Sequence, residues 1–254
     1  MPENHRIGKT DIEQRLLKVI ARVHNAEREY GREPGSVQII PVSKTRPAAD
    51  IAQVIALGLP GIGGDFAESY LQEAEQKIAE LADRQLQWHF IGPVQSNKTA
   101  SIARLFQWVH SVDRLKIAQR LNDQRPADLT PLNVCLQVNV SGEASKSGVG
   151  LAELPELIGC VAELPNLCLR GLMAIPAASD ERATQRAAFA LLREAFDAQR
   201  FYFQQKTPDT AGPKWDTLSM GMSGDLEAAV AEGATLVRIG TDIFGPRTPG
   251  VAAG

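Results

Sequence analysis

The chain is predicted to fold as one (β/α)8 TIM-type barrel with an extra helix ahead of the first strand. Three observations predict it. Eight short apolar runs alternate with amphipathic stretches, the pattern of strands joined by helical crossovers. The runs are continuously apolar, as expected for strands buried on both faces. The length of 254 residues is one at which such a barrel is ordinarily a single domain, so one domain is expected over 1–254. An open doubly wound sheet is the rival architecture, and the count of eight favours closure.

The extra helix comes first. Ile12, Leu16, Leu17, Ile20 and Val23 recur at helical spacing over 10–30, and Thr10 followed by Glu13 fits a capping box. Strands are then expected at 37–43, 60–63, 86–91, 107–111, 133–140, 167–175, 215–219 and 235–239. Helices are expected near 48–58, 67–83, 95–105, 113–123, 151–163, 180–204 and 224–232. Ser96 or Asn97 reads as a cap of one helix and Asp113 of the next. Residues 206–214 are rich in turn formers and read as a loop. A loose tail is expected after Pro246.

Composition narrows the function classes. A net charge of −3 with no run of basic residues argues against a nucleic-acid partner. No apolar stretch approaches the ~18 residues needed to span a bilayer. The segment Met1-Pro2-Glu3-Asn4-His5-Arg6 lacks the apolar core of a secretory leader. Cys135, Cys160 and Cys168 lack CxxC spacing and read as buried small apolar residues of a reducing compartment. The cytoplasm is the expected location.

Lys44 is the most informative residue. It follows Val37-Gln38-Ile39-Ile40-Pro41-Val42-Ser43 and precedes Thr45-Arg46-Pro47, which places an amine at the carboxyl end of the first strand. Barrels do their chemistry at that end. A partly desolvated amine loses its proton more easily and can form a Schiff base with an aldehyde. The plain alternative is a surface lysine capping a strand.

A second signal lies near the C-terminus. The seventh strand runs into Ser219-Met220-Gly221-Met222-Ser223-Gly224, and the eighth, Leu236-Val237-Arg238-Ile239, into Gly240-Thr241-Asp242. Barrels often build a phosphate site from these two loops. Gly240 permits close backbone approach, and the hydroxyls of Ser219, Ser223 and Thr241 can donate to phosphate oxygens. The alternative is that these residues only make tight turns. Neither GxGxxG nor GxxxxGK[ST] is present.

Arg238 interrupts an apolar strand, and a charge there needs a partner. It either pairs with a carboxylate such as Asp242 or Glu227 or faces a ligand atom that must stay unprotonated. His89 can line the mouth or stack on a flat ligand, or it is a hydrogen-bonded core histidine. Met173 can touch a ligand ring or serve core packing. The polar loop 141–148 is a solvated loop, a lid or a partner-binding segment. Together, Lys44, the phosphate cradle and Arg238 suggest a flat, phosphorylated aldehyde, pyridoxal 5′-phosphate (PLP). Lys44 would hold it as an aldimine, and Arg238 would weaken its ring as an electron sink.

At this point the chain resembles the pyridoxal phosphate homeostasis protein family. The resemblance rests on Pro41-Val42-Ser43-Lys44-Thr45, Trp88-His89-Phe90-Ile91-Gly92-Pro93, His110-Ser111-Val112-Asp113-Arg114, Ser145-Lys146-Ser147-Gly148, Arg170-Gly171-Leu172-Met173, Leu218-Ser219-Met220-Gly221-Met222-Ser223 and Val237-Arg238-Ile239-Gly240-Thr241. It implies a barrel related to the N-terminal domain of alanine racemase, with PLP on Lys44. It implies contacts from Ser69, His89, Met173, Ser219, Met222, Ser223, Arg238, Gly240 and Thr241, and a role in PLP supply without established turnover. PLP-dependent apoenzymes are the implied partners, and a monomer is expected. One segment departs: Phe66-Ala67-Glu68-Ser69-Tyr70 stands where the family usually has Phe-Gly-Glu-Asn-Tyr, so Ser69 replaces an asparagine expected near the ring.

Three other functions compete with a PLP carrier. A racemase needs a second domain and a tyrosine base. The chain is read as spent on the barrel, and Tyr30, Tyr70 and Tyr202 all fall on predicted helices. A class I aldolase would use Lys44 with an acid–base pair, and none is identifiable. A pure interaction protein would use the loop 141–148.

Overall fold

The computed structural model describes residues 10–143, 146–206 and 215–246. The expected tail after Pro246, most of the 206–214 loop and residues 144–145 of the 141–148 loop lie outside the described residues. Helix α1 (Asp11–Glu29) precedes eight parallel strands: β1 (Gln38–Pro41), β2 (Asp65–Glu68), β3 (Gln87–Phe90), β4 (Trp108–Val112), β5 (Leu132–Gln137), β6 (Leu167–Met173), β7 (Thr217–Ser219) and β8 (Leu236–Ile239). Between and after them lie α2 (Ala48–Ala56), α3 (Leu71–Glu80), α4 (Thr99–Leu105), α5 (Leu115–Asp123), α6 (Leu154–Ala162), α7 (Arg182–Lys206), α8 (Leu226–Ala231) and α9 (Thr241–Phe244).

The strands pair in the order β1-β8-β7-β6-β5-β4-β3-β2. The circle closes just past the end of β1, where Val42 bridges Ala67 and Ser43 N donates to Ala67 O at 3.0 Å. The closed barrel is therefore the architecture, as the count of eight strands favoured.

Burial follows the helical and strand periods. Helix α1 buries Ile12, Leu16, Val19 and Val23, and Thr10 Oγ1 accepts from Glu13 N at 3.2 Å. Glu27, buried at the end of α1, accepts the amides of Gly35 and Val37 and so fixes the approach to β1. Most of the core lies between the sheet and the helices. A smaller apolar cluster, Ile40, Val42, Ala67 and Leu236, lies inside the barrel.

Several expectations are corrected. The second strand is Asp65–Glu68, not 60–63. Only Phe66 and Ala67 in it are apolar; of its polar ends Glu68 is buried and Asp65 half-buried, and each is satisfied by a side chain from another element. Helix α3 starts at Leu71 rather than 67. Residues 96–98 form a separate 3-10 turn before α4, and neither Ser96 nor Asn97 caps that helix by its side chain. Asp113 does not cap α5; its carboxylate takes the Arg114 guanidinium. Of the cysteines only Cys135 is buried. Cys160 is exposed because α6 buries Leu154, Leu157, Ile158 and Val161, a stripe that passes it by.

Candidate functional site

The site is built at the carboxyl ends of the strands. Lys44 stands three residues past β1, half-buried, in a turn that the chain holds under strain. Thr45 has φ +64°, a region that costs a β-branched residue on the order of 1–2 kcal/mol. A clamp holds the turn. Thr45 N donates to Glu73 Oε1 at 2.6 Å, and Ser43 Oγ donates to Glu68 Oε1 at 2.6 Å. Lys77 Nζ from α3 donates to Ser43 O, Glu68 Oε1 and Glu73 Oε1 at 2.5–2.7 Å. Glu68 is fully buried, which raises its carboxyl above the ordinary range, while Lys77 and Ser43 oppose that shift.

Lys44 lines a small cleft of about 30 Å³ with Val42, Arg46, Gly240, Thr241, Phe244 and Gly245. This brings the first strand's amine against the loop after β8, as parallel pairing of β1 with β8 requires. The loops after β7 and β8 are tied together. Arg238 N donates to Gly221 O at 2.9 Å, and Asp242 N to Ser223 Oγ at 3.4 Å. Gly221 has φ +97°, and a Cβ there would lie 2.6 Å from Ala229 Cβ, so glycine is required by both backbone and space. From α1, Arg22 reaches Glu227 (2.7 Å), Asp242 (2.5 Å) and Ser223 O (3.0 Å). One guanidinium thus braces both loops.

Arg238 points into the barrel. Asp242 and Glu227, the carboxylates expected as partners, are held by Arg22 instead. Arg238 is buried, gives Nη1 to Ser219 Oγ at 2.7 Å and Nη2 to Ala174 O at 3.0 Å, and burial lowers its pKa to about 10. It remains a cation at neutral pH. Among the described residues these contacts use two of the five donors of a guanidinium.

The other expected site residues divide. Ser219 is buried, and its hydroxyl lies between Arg238 and His110. Met173 is buried at the end of β6, in register with Ser219. His89 lies within the barrel, its ring stacked on Trp108 at 5.4 Å and its two nitrogens against Asp65 and His110. That is the core-histidine arrangement. Met222 is exposed on the rim, with its amide donating to Asp225 Oδ1 at 2.6 Å.

Ser69 opens on a different cleft, of about 620 Å³, shared with Thr45, Tyr70, Glu73 and Lys98. Its backbone is packed against Gly92, where an added Cβ would lie 2.1 Å from Ser69 O. Tyr70 is a correction. It follows the end of β2 by two residues and is 39% exposed, rather than lying on a helix. Tyr30 ends α1, and Tyr202 falls within the α7 backbone.

Sequence reasoning missed Arg22, Asp65, Lys77 and the pairing of His89 with His110. The available signals were a polar residue inside each of two neighbouring apolar strands and the Glu73/Lys77 spacing of four on one helix face.

Comparison with known proteins fits this geometry. Residues 19–248 match the model of the alanine racemase N-terminal domain. The pyridoxal phosphate homeostasis protein of Pseudomonas aeruginosa is 58% identical over 242 residues, 95% of this chain and 98% of that protein.

The chain belongs to the family of the pyridoxal phosphate homeostasis proteins.

Its Escherichia coli relative of the same description is 49% identical over 93% of this chain and 97% of that protein. Among solved structures, PipY of Synechococcus elongatus with PLP bound is 35% identical, with a TM-score of 0.74, covering 92% of this chain and all of that one. The family and the barrel expected from the sequence are therefore both established. Among the described residues, no helix is long and apolar enough to cross a membrane.

Proposed function

We infer that this chain holds PLP through a covalent link from Lys44 and serves PLP supply in the cytoplasm, with little or no turnover. One observation carries the reading: Lys44 shares a cleft with Gly240 and Thr241, while Arg238 on the adjoining strand enters the barrel as a buried cation. The PLP-bound relative at 35% identity supports it.

The donor set fits the cofactor. An amine is available for its aldehyde, and the hydroxyls and amides of Ser223, Gly240 and Thr241 suit its phosphate. When bound, PLP supplies an aldehyde carbon to amines and a ring that stabilises negative charge. Arg238 can only donate hydrogen bonds, so opposite the ring nitrogen it keeps that nitrogen unprotonated. The ring is then a weaker electron sink, which favours storage over turnover. Ser219 serves Arg238 in this reading, and Arg22 keeps the phosphate loops in register. Met173 and Met222 would border the ring, and Ser69 would approach it from the neighbouring cleft. PLP-dependent apoenzymes are the recipients, and the carrier acts as a monomeric barrel domain.

The position of Tyr70 favours a second reading, a weak racemase-like enzyme, because a phenol beyond a strand end can act as a base. The test begins with the visible absorption of the purified protein before and after borohydride, followed by peptide mass mapping. The expected result is a yellow protein, bleached by reduction, with a phosphopyridoxyl mass on the Lys44 peptide. A protein that stays colourless with added PLP rejects the cofactor reading. Sustained loss of optical rotation from an L-amino acid, abolished in Tyr70→Phe, would establish the enzyme instead of the carrier.

A further inference from the structure

A hydrogen-bonded chain crosses the interior of the barrel and ends on Arg238. Asp65 Oδ1 is 2.9 Å from His89 Nε2, His89 Nδ1 is 2.9 Å from His110 Nε2, and His110 Nδ1 is 2.7 Å from Ser219 Oγ. Ser219 Oγ in turn is 2.7 Å from Arg238 Nη1. The members come from β2, β3, β4, β7 and β8, and all but Asp65 are buried.

With both imidazoles neutral, one order of hydrogens satisfies every member. A guanidinium only donates, so Ser219 Oγ accepts from Arg238 and gives its own hydrogen to His110 Nδ1. His110 then carries its hydrogen on Nε2 and donates to His89 Nδ1. His89 carries its hydrogen on Nε2 and donates to the Asp65 carboxylate. Every donor points from Arg238 towards Asp65.

A proton added to either ring breaks this order. An imidazolium has no acceptor, so His110 would have to donate from Nδ1 to Ser219 Oγ. That oxygen would then face two donors, and its own hydrogen would lose its acceptor. Protonating His89 has the same result, because His110 Nε2 must become the acceptor and its hydrogen must move to Nδ1.

Building on the reading of the mouth as a PLP site, we propose that His89 and His110 are positioning residues: as a neutral pair they orient Ser219 and through it hold the Arg238 guanidinium towards the cofactor ring. Cofactor retention then has an acid limit set inside the barrel. The surroundings agree. Burial lowers both histidines below the ordinary range, and His110 is pushed further down by His89 and Arg238. Asp65 alone favours a charged His89. Arg170 from β6 lies over the Trp108 ring, 4.7 Å from its centroid, and is paired with Asp216. The Cys135 thiol from β5 is pushed up to about 12 and stays neutral. Asp225, which faces Arg238 from the loop after β7, is raised by burial.

Two measurements test the proposal on the full chain. Nitrogen-15 NMR of the histidine rings, without PLP, should show Nε2–H tautomers at both His89 and His110 and no titration near the ordinary histidine value. PLP retention against pH, read by absorbance after dialysis, should then be compared in the wild type, His110→Phe, His110→Gln and Ser219→Ala. His110→Phe and Ser219→Ala should each weaken retention at neutral pH on the order of tenfold, as for a lost hydrogen bond to a charged group. His110→Phe should also lose the acid limb. His110→Gln, which keeps an acceptor and a donor but takes up no proton, should recover most of the retention at neutral pH without restoring the His110 part of the acid limb. Nδ1–H tautomers, ordinary titration, or an unchanged retention profile in His110→Phe and Ser219→Ala would overturn the proposal. Absence of PLP uptake at any pH would overturn the PLP reading and the positioning role together, and the ring tautomers would still show whether the hydrogen-bonded chain exists.

Discussion

Behind Lys44, between β1 and α3, Lys77 Nζ is enclosed by Ser43 O, Glu68 and Glu73. Inside the barrel, Arg238 rests on a serine, a carbonyl and, through the serine, two imidazoles. Both regions bury a cation, by different means. The clamp offsets charge with charge and fixes backbone: Ser43 and Thr45 are held directly, which keeps the strained Lys44 turn in place. The relay offsets charge with oriented dipoles and fixes one side chain. Carboxylates around a buried lysine make a strong, indifferent anchor. A neutral relay leaves the guanidinium with donors to present at the mouth. The difference separates what holds the site together from what sets its electrostatics.

Breaking the clamp should have the largest effect. Lys77→Met leaves Glu68 and Glu73 without their shared cation and should cost about 3–5 kcal/mol in denaturant unfolding. A loss under about 1 kcal/mol would mean that the buried Glu68 carboxyl, whose pKa burial raises, is already protonated. Ser219→Ala comes next, at about 1–3 kcal/mol by the same measurement, because His110 Nδ1 loses its donor and Arg238 loses an acceptor.

The two regions should also respond to pH in opposite senses. A depressed histidine makes the unfolded state bind more protons, so the relay's stability is present above about 6.5 and is lost as pH falls. The raised Glu68 carboxyl contributes stability below its ordinary 4.5 that is lost as pH rises. His110→Phe should therefore flatten the fall in melting temperature below pH 6.5 while leaving the Glu68 contribution unchanged. An acid slope that survives the substitution would locate it elsewhere. The smallest effect is expected at Thr45→Gly, which relieves the positive φ and should stabilise by up to about 1 kcal/mol, since glycine's entropy cost offsets part of the relief. Destabilisation there would mean that threonine's contacts outweigh the strain.

Much of this was legible in the sequence. Continuous apolar runs announced strands covered on both faces, and their number announced closure. Lys44 after the first run and two small-residue loops after the last two marked the working end. What escaped was polar. Asp65-Phe66-Ala67-Glu68 hides as a strand because its flanks are charged, and those charges are satisfied by His89 and Lys77, which hydropathy does not connect to it. The helix starts near 96 and 113 differ from expectation because residues 96–98 turn as a 3-10 segment, with the Ser96 carbonyl taking Thr99 and Arg120, and because the Asp113 carboxylate takes Arg114. Arg238 was marked by its oddity within an apolar strand, but its partners were not, since Arg22 on α1 takes both nearby carboxylates.

The sequence by itself determined the barrel, its family and the amine at its mouth, because these depend on local periodicity and on motifs contiguous along the chain. Only the tertiary structure decided which polar groups meet. Asp65, His89, His110, Ser219 and Arg238 come from five strands, and hydrogen bonds near 2.8 Å between them exist only once closing the sheet turns those side chains into one interior.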